Sequence, residues 1–367
     1  MCGSSGYPSV CVLGAGHGGM AMAGHLALMG VPVRLYNRSE PRITPIKLTG
    51  GVTLSGAVEG FGPIAVATID PAEAVEGAEV LMVVVPANGH RYIAERVAPH
   101  LKDGQIVVLN PGRTGGAFEF RHQLKMQGVT ADVTIAEAQT LIYACRAINP
   151  AQVRIFGIKN TIPVAALPGQ RTVEVLGVLR RIYPQFVPGD NVLKTSLDNI
   201  GAVFHPALMV LNAARIESTR GEFQFYMEGI TPSTARILEA VDAERVSVAA
   251  ALGIRAITAR EWLYMAYDAA GKTLFDAIRN NPGYEGITAP IAIDHRYIWE
   301  DVPMSLVPIA SLGEQLGVPV TTIRAVIYFA SLIDRTDYWE SGRTTERMGL
   351  AGLTVREIRH LALEGEI

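Results

Sequence analysis

The chain has 367 residues, which is enough for two domains of roughly 150 residues each. Hydrophobic residues make up 49% and charged residues 18% of the composition, so a disordered protein is excluded and a large buried core is indicated. Because 32 basic side chains oppose 35 acidic ones, no positive surplus exists to bind a nucleic acid backbone, and nucleic acid is excluded as a partner.

The cysteines and the N-terminus bear on the cellular compartment. Three cysteines, Cys2, Cys11 and Cys145, are too few and too scattered for a disulfide framework, and no pair has zinc-ligand spacing. The first residues lack the basic and apolar segments of a signal peptide, and no run of about 18 apolar residues follows. We therefore expect a cytoplasmic protein with no membrane partner.

The first half of the chain alternates apolar strands with helical segments. A strand at Ser9–Leu13 is followed by a glycine-rich turn, a helix, and a second strand at Val31–Tyr36. Further strands are predicted at Val80–Val85, at Ile106–Leu109 and at 132–138, each separated from the next by a helix. Such alternation predicts a parallel sheet with helices on both faces, a Rossmann-like doubly wound domain.

The pattern changes after this region. Short strand-like runs at 154–159, 161–167 and 191–197, around a helix at Thr172–Tyr183, are expected to extend the sheet. From Asn199 onward only long helical patterns appear, so the chain divides into an α/β domain at 1–196 and an all-helical domain at 197–367. Its last segment, 334–367, is expected to cover either a dimer interface or the first domain, and we expect a homodimer.

The turn after the first strand reads GAGHGG and fits the dinucleotide-binding pattern G-x-G-x-x-G. Its context matches, because the first glycine leaves a strand, the second leaves room for a pyrophosphate, and the third lets helix and strand pack closely. A glycine turn that served packing alone would not need three glycines at this spacing. The predicted cofactor-binding residues of this turn are Gly14, Ala15, Gly16, His17, Gly18 and Gly19. Pro86, which follows another strand, is expected to edge the same site.

The end of the second strand indicates which dinucleotide binds. A carboxylate for the ribose hydroxyls of NAD usually stands there, whereas this chain has Asn37, Arg38 and Ser39. The Arg38 guanidinium can bind a 2′-phosphate and cover the adenine, with Asn37 and Ser39 as neutral donors. The sequence thus predicts NADP in preference to NAD. The alternative is that Arg38 is only a solvated surface charge.

Two segments of the helical domain carry candidate chemical groups. His205 lies in NIGAVFHP among apolar residues, where a histidine is more often structural than catalytic. The segment RYIWEDVP holds Arg296, Glu300 and Asp301, and the two acids would suit the N-terminus of a helix beginning at Pro303. That explanation does not account for Arg296. Asp294 and His295 precede Arg296 and could bind a metal, but no third ligand lies at a suitable spacing, so we expect no metal site.

These segments together resemble the opine dehydrogenases, which include octopine and nopaline dehydrogenases. The resemblance rests on GAGHGG, on EAQTLIYACR at 137–146, on NIGAVFHP and on RYIWEDVP, and it runs essentially end to end. It implies reductive condensation of an amino acid with an α-keto acid. It also implies that His205 is the catalytic histidine, that Asp301 orients it, that Arg296 holds a substrate carboxylate, and that Cys145 and Gln139 lie near the substrate.

The chemistry of such a reaction asks for these groups independently. Loss of water from a carbinolamine needs a proton shuttle, and imidazole exchanges protons near neutral pH. Two alternatives stay open: a carbonyl reductase resembling ketopantoate reductase or glycerol-3-phosphate dehydrogenase, using Lys194 and Asn199, and an NADP-sensing protein without turnover. The substrate pair is also open, although Tyr297 and Trp299 favour aromatic or apolar contacts.

Overall fold

The computed structural model describes residues 6–366, so Cys2 lies outside the described residues. The strands in this part of the chain are β1 (Val10–Leu13), β2 (Val33–Tyr36), β3 (Gly51–Gly56), β4 (Gly60–Pro63), β5 (Val66–Thr68), β6 (Val80–Val83), β7 (Ile106–Leu109), β8 (Thr134–Ala138), β9 (Tyr143–Asn149), β10 (Gln152–Ile158), β11 (Ile162–Leu167) and β12 (Phe186–Pro188).

The helices before residue 196 are α1 (His17–Leu28), α2 (Glu40–Thr49), α3 (Pro71–Val75), α4 (His90–Val97), α5 (Gly116–Met126) and α6 (Thr172–Leu179). Those that follow are α7 (Val192–Leu197), α8 (Gly201–Leu211), α9 (Ala213–Thr219), α10 (Pro232–Ala251), α11 (Ala259–Tyr267), α12 (Leu274–Arg279), α13 (Arg296–Trp299), α14 (Val307–Gln315), α15 (Thr321–Asp334), α16 (Tyr338–Ser341) and α17 (Val355–Glu364). In these described residues no helix is both long and apolar enough to cross a membrane.

Eight strands form the main sheet, in the order β12-β11-β8-β7-β6-β1-β2-β5. The six strands from β8 to β5 are parallel, and their near-continuous burial reflects helices on both faces. The predicted Rossmann-like domain is therefore confirmed. β11 extends the sheet as predicted, but it runs antiparallel to β8.

A second sheet, in the order β4-β3-β10-β9, was not predicted from the sequence. It contains residues 154–158, so the expectation that the run 154–159 extends the main sheet is wrong. The reason lies in the burial pattern, because Val153 and Ile155 are fully buried whereas Phe156 is exposed, as in a sheet covered on one face. Helix α1 packs on this sheet so closely that a Cβ added at Gly62 would lie 2.1 Å from the Gly24 carbonyl oxygen.

The run 191–197 forms helix α7, so its assignment as a strand is wrong. Asn191 caps the first turn, since its Oδ1 accepts the backbone N–H groups of Leu193 and Lys194 at 3.0 and 3.3 Å. Asparagine is among the strongest helix-capping residues, and this local bond outweighs the β propensity of the valine and threonine in the run.

The chain divides into two compact units. Of the described residues, 6–195 and 357–366 form the first unit, and 196–356 form the second. Within 196–356 the described residues form no strand beyond an isolated bridge between Gln224 and Thr288, in agreement with the predicted all-helical domain. The division differs from the predicted one at the C-terminus, because α17 buries its apolar face in the first unit and the Gly365 carbonyl accepts a bond from Arg121.

Candidate active site

The glycine turn of the first unit has the geometry that a dinucleotide requires. Gly14 has φ +121°, and a Cβ there would lie 2.4 Å from the Val84 carbonyl oxygen. A Cβ at Gly19 would lie 1.7 Å from the Gly14 oxygen, so only glycine allows α1 to meet β1 at this distance. Gly16 has open space around it, with no atom within 4 Å of an added Cβ. The turn thus leaves room for a pyrophosphate at the start of α1.

The end of β2 lies beside this turn. The Asn37 amide is used internally, because its Oδ1 accepts the Ala15 N–H at 3.1 Å and its Nδ2 donates to the Ser39 carbonyl at 3.3 Å. Arg38 lies over the ring of Tyr92 at 5.6 Å, which orients its guanidinium. Two positive side chains stand at this strand end, since the Arg42 guanidinium also donates to the Ala15 carbonyl at 3.5 Å.

Three other predicted residues of the first unit have definite surroundings. The imidazole Nδ1 of His17 accepts the backbone N–H of Ala147 at 2.8 Å, so the ring ties the start of α1 to β9. Pro86 is exposed and follows β6 on the sheet edge where Gly14 follows β1. Ser39 precedes α2 without capping it through its side chain.

Gln139 and Cys145 flank a segment that follows β8. The Gln139 backbone N–H donates to Pro163, and Cys145 lies half-buried in β9 opposite Ile155. Burial raises the pKa of the Cys145 thiol to about 11, so the group is a neutral thiol near pH 7 and not a nucleophile.

Sequence reasoning missed Lys159, which lies in the same region. Its ammonium donates to the Thr140 hydroxyl at 2.6 Å. Surrounding protein and the nearby positive charge of Arg113 lower the pKa of Lys159 to about 8. No sequence signal marks this residue, because the shift arises only when the strand ends come together.

In the second unit, His205 and Asp301 are directly bonded. The His205 Nδ1 donates to Asp301 Oδ2 at 2.9 Å, although 96 residues separate them. The Asp301 side chain is wholly buried, and that of His205 is 20% exposed. A carboxylate on Nδ1 fixes the neutral tautomer whose Nε2 carries a lone pair, the form that takes up a proton.

The helical segment expected to start at Pro303 begins one residue earlier, at Val302, and a separate short helix precedes it. The short helix α13 has His295 as its N-cap and ends at Trp299, and after the turn at Glu300 a π-helical turn at Val302–Leu306 leads into α14. Glu300 and Asp301 are buried at the junction between α13 and the π-helical turn, and Asp301 does not cap this turn through its side chain. Pro303 lacks an N–H and interrupts the regular bonding, and such π turns often occur at functional sites.

Aromatic rings surround the histidine. The Tyr297 ring stacks on the His205 ring with centroids 3.9 Å apart and planes 16° apart. Phe225 stacks behind Tyr297 at 5.8 Å. These contacts restrict the imidazole to the orientation in which it meets Asp301.

Arg296 lies five residues before Asp301 and is half-exposed. Its guanidinium pairs with Glu300 Oε2 at 2.7 Å, and this buried carboxylate holds one end of the guanidinium in place. A guanidinium has five N–H donors, so donors remain for a second anion.

The amino-acid sequence matches proteins of known activity. Residues 188–333 match the family model described as "NAD/NADP octopine/nopaline dehydrogenase, alpha-helical domain", and residues 9–112 match "NAD-dependent glycerol-3-phosphate dehydrogenase N-terminus". Opine dehydrogenase of Arthrobacter sp. (strain 1C) is 41% identical over 349 residues, which cover 95% of this chain and 97% of that protein. The chain belongs to the opine dehydrogenase family.

More distant members share the architecture. Octopine dehydrogenase of Pecten maximus is 27% identical over 379 residues, with 92% of each chain covered. The solved structure of octopine dehydrogenase with NADH and L-arginine has a TM-score of 0.82 at 24% identity and 98% coverage of both chains. Yersinopine dehydrogenase with NADP+ bound has a TM-score of 0.79 at 16% identity, covering 95% of this chain and 99% of that one. At these identities the two solved structures show the fold alone.

This member of the family is an NAD(P)-dependent oxidoreductase that acts on CH–NH bonds, and its reaction is the reductive condensation of an amino acid with an α-keto acid. The carbonyl-reductase alternative gives way to this assignment. A ketopantoate reductase from Ralstonia eutropha JMP134 shares the fold, with a TM-score of 0.61, at only 20% identity.

The predicted site residues fall into two groups. His205, Asp301 and Arg296 lie together in the second unit. The dinucleotide turn, Gln139 and Cys145 lie in the first unit. Sequence reasoning named Tyr297 only as a pocket residue, because its stacking on His205 depends on the fold of two separate helices.

Proposed function

We propose that the enzyme uses NADPH to join an amino acid to an α-keto acid, with His205 as the proton shuttle and Asp301 as the residue that orients it. The observation that carries the proposal is the 2.9 Å bond between His205 Nδ1 and the wholly buried Asp301 carboxylate. The bond leaves Nε2 as the atom that exchanges protons with substrate.

The chemistry of condensation determines which proton transfers His205 must carry out. His205 Nε2 takes a proton from the ammonium group of the amino acid, and the free amine then attacks the keto carbon to give a carbinolamine. The same imidazolium returns the proton to the carbinolamine hydroxyl, which leaves as water and gives the iminium ion. NADPH, when bound, supplies the hydride that reduces this carbon. Asp301 stabilises the imidazolium without taking up its proton.

Arg296 is proposed to bind a carboxylate of the substrates. Its pairing with Glu300 at 2.7 Å anchors the guanidinium and leaves further donors for a bidentate contact. Such a contact would position the keto acid for attack, because a fixed carboxylate determines where the adjacent carbonyl lies. Gln139 and Cys145 are retained as substrate contacts on the family resemblance alone, with Cys145 acting as a neutral thiol.

The preference for NADPH rests on the end of β2. Arg38 and Arg42 stand beside the glycine turn, and the residue between Tyr36 and Arg38 is Asn37 instead of a carboxylate. Two guanidinium groups favour a 2′-phosphate, whereas the ribose hydroxyls of NADH would meet no acid at this position.

The substrate pair is proposed from the chemistry of the site. The partly exposed rings of Tyr297 and Trp299 favour an amino acid with an apolar or aromatic side chain. Octopine dehydrogenase has been solved with pyruvate, and we propose pyruvate as the first keto acid to test. Oxidation of NADPH that requires both an amino acid and a keto acid supports the proposal. Oxidation with the keto acid alone would contradict it, and a matched reaction with the amino acid alone is the control.

The association of two copies is proposed from α15. Its outer face carries an apolar stripe at helical spacing, with Tyr328 62%, Phe329 52% and Leu332 57% exposed. A two-fold axis would pair this stripe with itself and bury it. Sedimentation should therefore give a dimer that Phe329→Lys dissociates, and a monomeric wild type would contradict this.

A reducing, cytoplasmic location is proposed because the two cysteines of the described residues, Cys11 and Cys145, are free thiols.

A further inference from the structure

The oxygen of Asp301 that does not meet His205 belongs to a buried polar chain. Ser305 Oγ donates to Asp301 Oδ1 at 3.4 Å, and Asn199 Nδ2 donates to Ser305 Oγ at 2.9 Å. All three side chains are buried, with Ser305 and Asp301 wholly inaccessible and Asn199 5% exposed. A continuous series of buried hydrogen bonds therefore connects Asn199 to His205 through Ser305 and Asp301.

The direction of these bonds is fixed by their donors. An amide Nδ2 can only donate, so the Ser305 oxygen accepts from Asn199 and its single hydrogen is left for Asp301. A carboxylate has no proton to offer and accepts from both Ser305 and His205. The donor and the acceptor of each of these hydrogen bonds are thus determined.

The local fold makes the chain possible. A serine inside a helix commonly bonds to the backbone carbonyl four residues before it, whereas four residues before Ser305 stands Asp301, whose side chain takes the hydroxyl. The π-helical turn at Val302–Leu306 contains Ser305, and Asn199 lies just before α8, the helix that carries His205. Asn199 is the residue that sequence reasoning could use only for a different class of reductase.

We propose that Ser305 and Asn199 are positioning residues, which hold Asp301 ionised and turned toward His205 during proton transfer. This inference rests on the proposed roles of His205 and Asp301. Neither residue needs to touch substrate, since both act through the carboxylate. A buried carboxylate with a donor on each oxygen neither rotates nor gains a proton easily.

The test is Ser305→Ala, with kcat, KM and the pH profile of kcat measured for the purified enzyme. Loss of one hydrogen bond to a charged group is expected to lower kcat roughly tenfold and to leave the KM of the cofactor unchanged. The acid limb of the profile is expected to move to higher pH, because a carboxylate that lost a donor holds the imidazolium more strongly. Asn199→Ala should shift the limb in the same direction by less. The neighbouring charged groups His295, Arg296 and Glu300 are unaltered in both variants.

Ser311→Ala is the matched control. Ser311 is also buried and lies six residues farther along the chain. Its hydroxyl bonds to the Thr345 hydroxyl at 3.2 Å and not to His205 or Asp301. It should lower the Tm about as much as Ser305→Ala without changing the pH profile. If the two serine variants have the same kcat and profile, Ser305 and Asn199 are structural and the inference is wrong. That result leaves the proposed function intact, whereas turnover by His205→Ala would overturn the proposed function itself.

Discussion

The His205 imidazole lies flat against the phenol ring of Tyr297, with centroids 3.9 Å apart and planes 16° apart. The ring covers one face of the imidazole while Asp301 holds its edge. Orientation of this histidine is therefore controlled from two directions, by a hydrogen bond in the ring plane and by stacking perpendicular to it.

Removal of the Tyr297 ring should reduce turnover. Stacked aromatic pairs contribute about 0.5–1.5 kcal/mol, so Tyr297→Ala should lower kcat roughly two- to twelvefold if the whole contact positions His205. Tyr297→Phe keeps the ring and should stay close to wild type. Steady-state kinetics at saturating substrates distinguish the variants, and an equal loss in both would show that the hydroxyl matters and the stacking does not.

Arg38 should determine the choice between the two dinucleotides. Loss of a charge-assisted contact of about 1.5–3 kcal/mol predicts that Arg38→Ala raises the NADPH KM on the order of 10- to 100-fold and leaves the NADH KM unchanged. Arg91→Ala is a suitable control, since Arg91 is exposed and pairs only with Glu95 on α4 among the contacts observed. Unchanged constants for both cofactors in Arg38→Ala would refute the phosphate assignment.

Two glycines of the turn should respond differently to alanine. Gly16→Ala meets no atom within 4 Å and has φ −81°, so the variant should keep the wild-type Tm but lose affinity for the dinucleotide. Gly19→Ala would place a Cβ 1.7 Å from a backbone oxygen, and such overpacking costs about 1–3 kcal/mol or more of stability. Thermal unfolding and cofactor titration measure the two effects. Wild-type affinity in Gly16→Ala would mean that the pyrophosphate does not lie at this turn.

Lys159 should titrate at unusually low pH. With its pKa lowered to about 8, roughly half of the side chain is the neutral amine at pH 8, where an ordinary lysine is almost wholly protonated. Mass spectrometry after brief acetylation should show Lys159 labelling rise between pH 7 and 9. Since Arg113 contributes to the shift, Arg113→Gln should raise the pKa and move this rise to higher pH, and Arg146→Gln should not. Labelling that rises only near pH 10 in the wild-type protein would contradict the shift.

The sequence was informative where local pattern and structure coincide. The spacing of Gly14, Gly16 and Gly19 after a strand predicted the tight turn between β1 and α1, because the steric requirement lies within a few residues. The second sheet was missed because β4, with the sequence GFGP, is short and lacks apolar alternation, and because β3 pairs with β10, which lies about 100 residues farther along the chain. Helix α7 was missed because its cap, Asn191, outweighs strand-forming residues.

The candidate active site was even less predictable from the sequence. No periodicity in the sequence relates His205 to Asp301, and only the family resemblance joined them before the fold did. Ser305 could not be identified at all, since its role depends on the π-helical turn and on a partner 106 residues away. Side chains that act through buried contacts leave no signal in a single sequence.

The most direct test of the proposed mechanism is the turnover of His205→Ala with an amino acid, a keto acid and NADPH, alongside fluorescence titration of NADPH. Cofactor binding should be unchanged, because His205 lies in the helical unit and not in the glycine turn. Turnover should fall to background, since no other group would carry the proton to the departing hydroxyl. Near-normal turnover with intact cofactor binding would remove His205 from the mechanism.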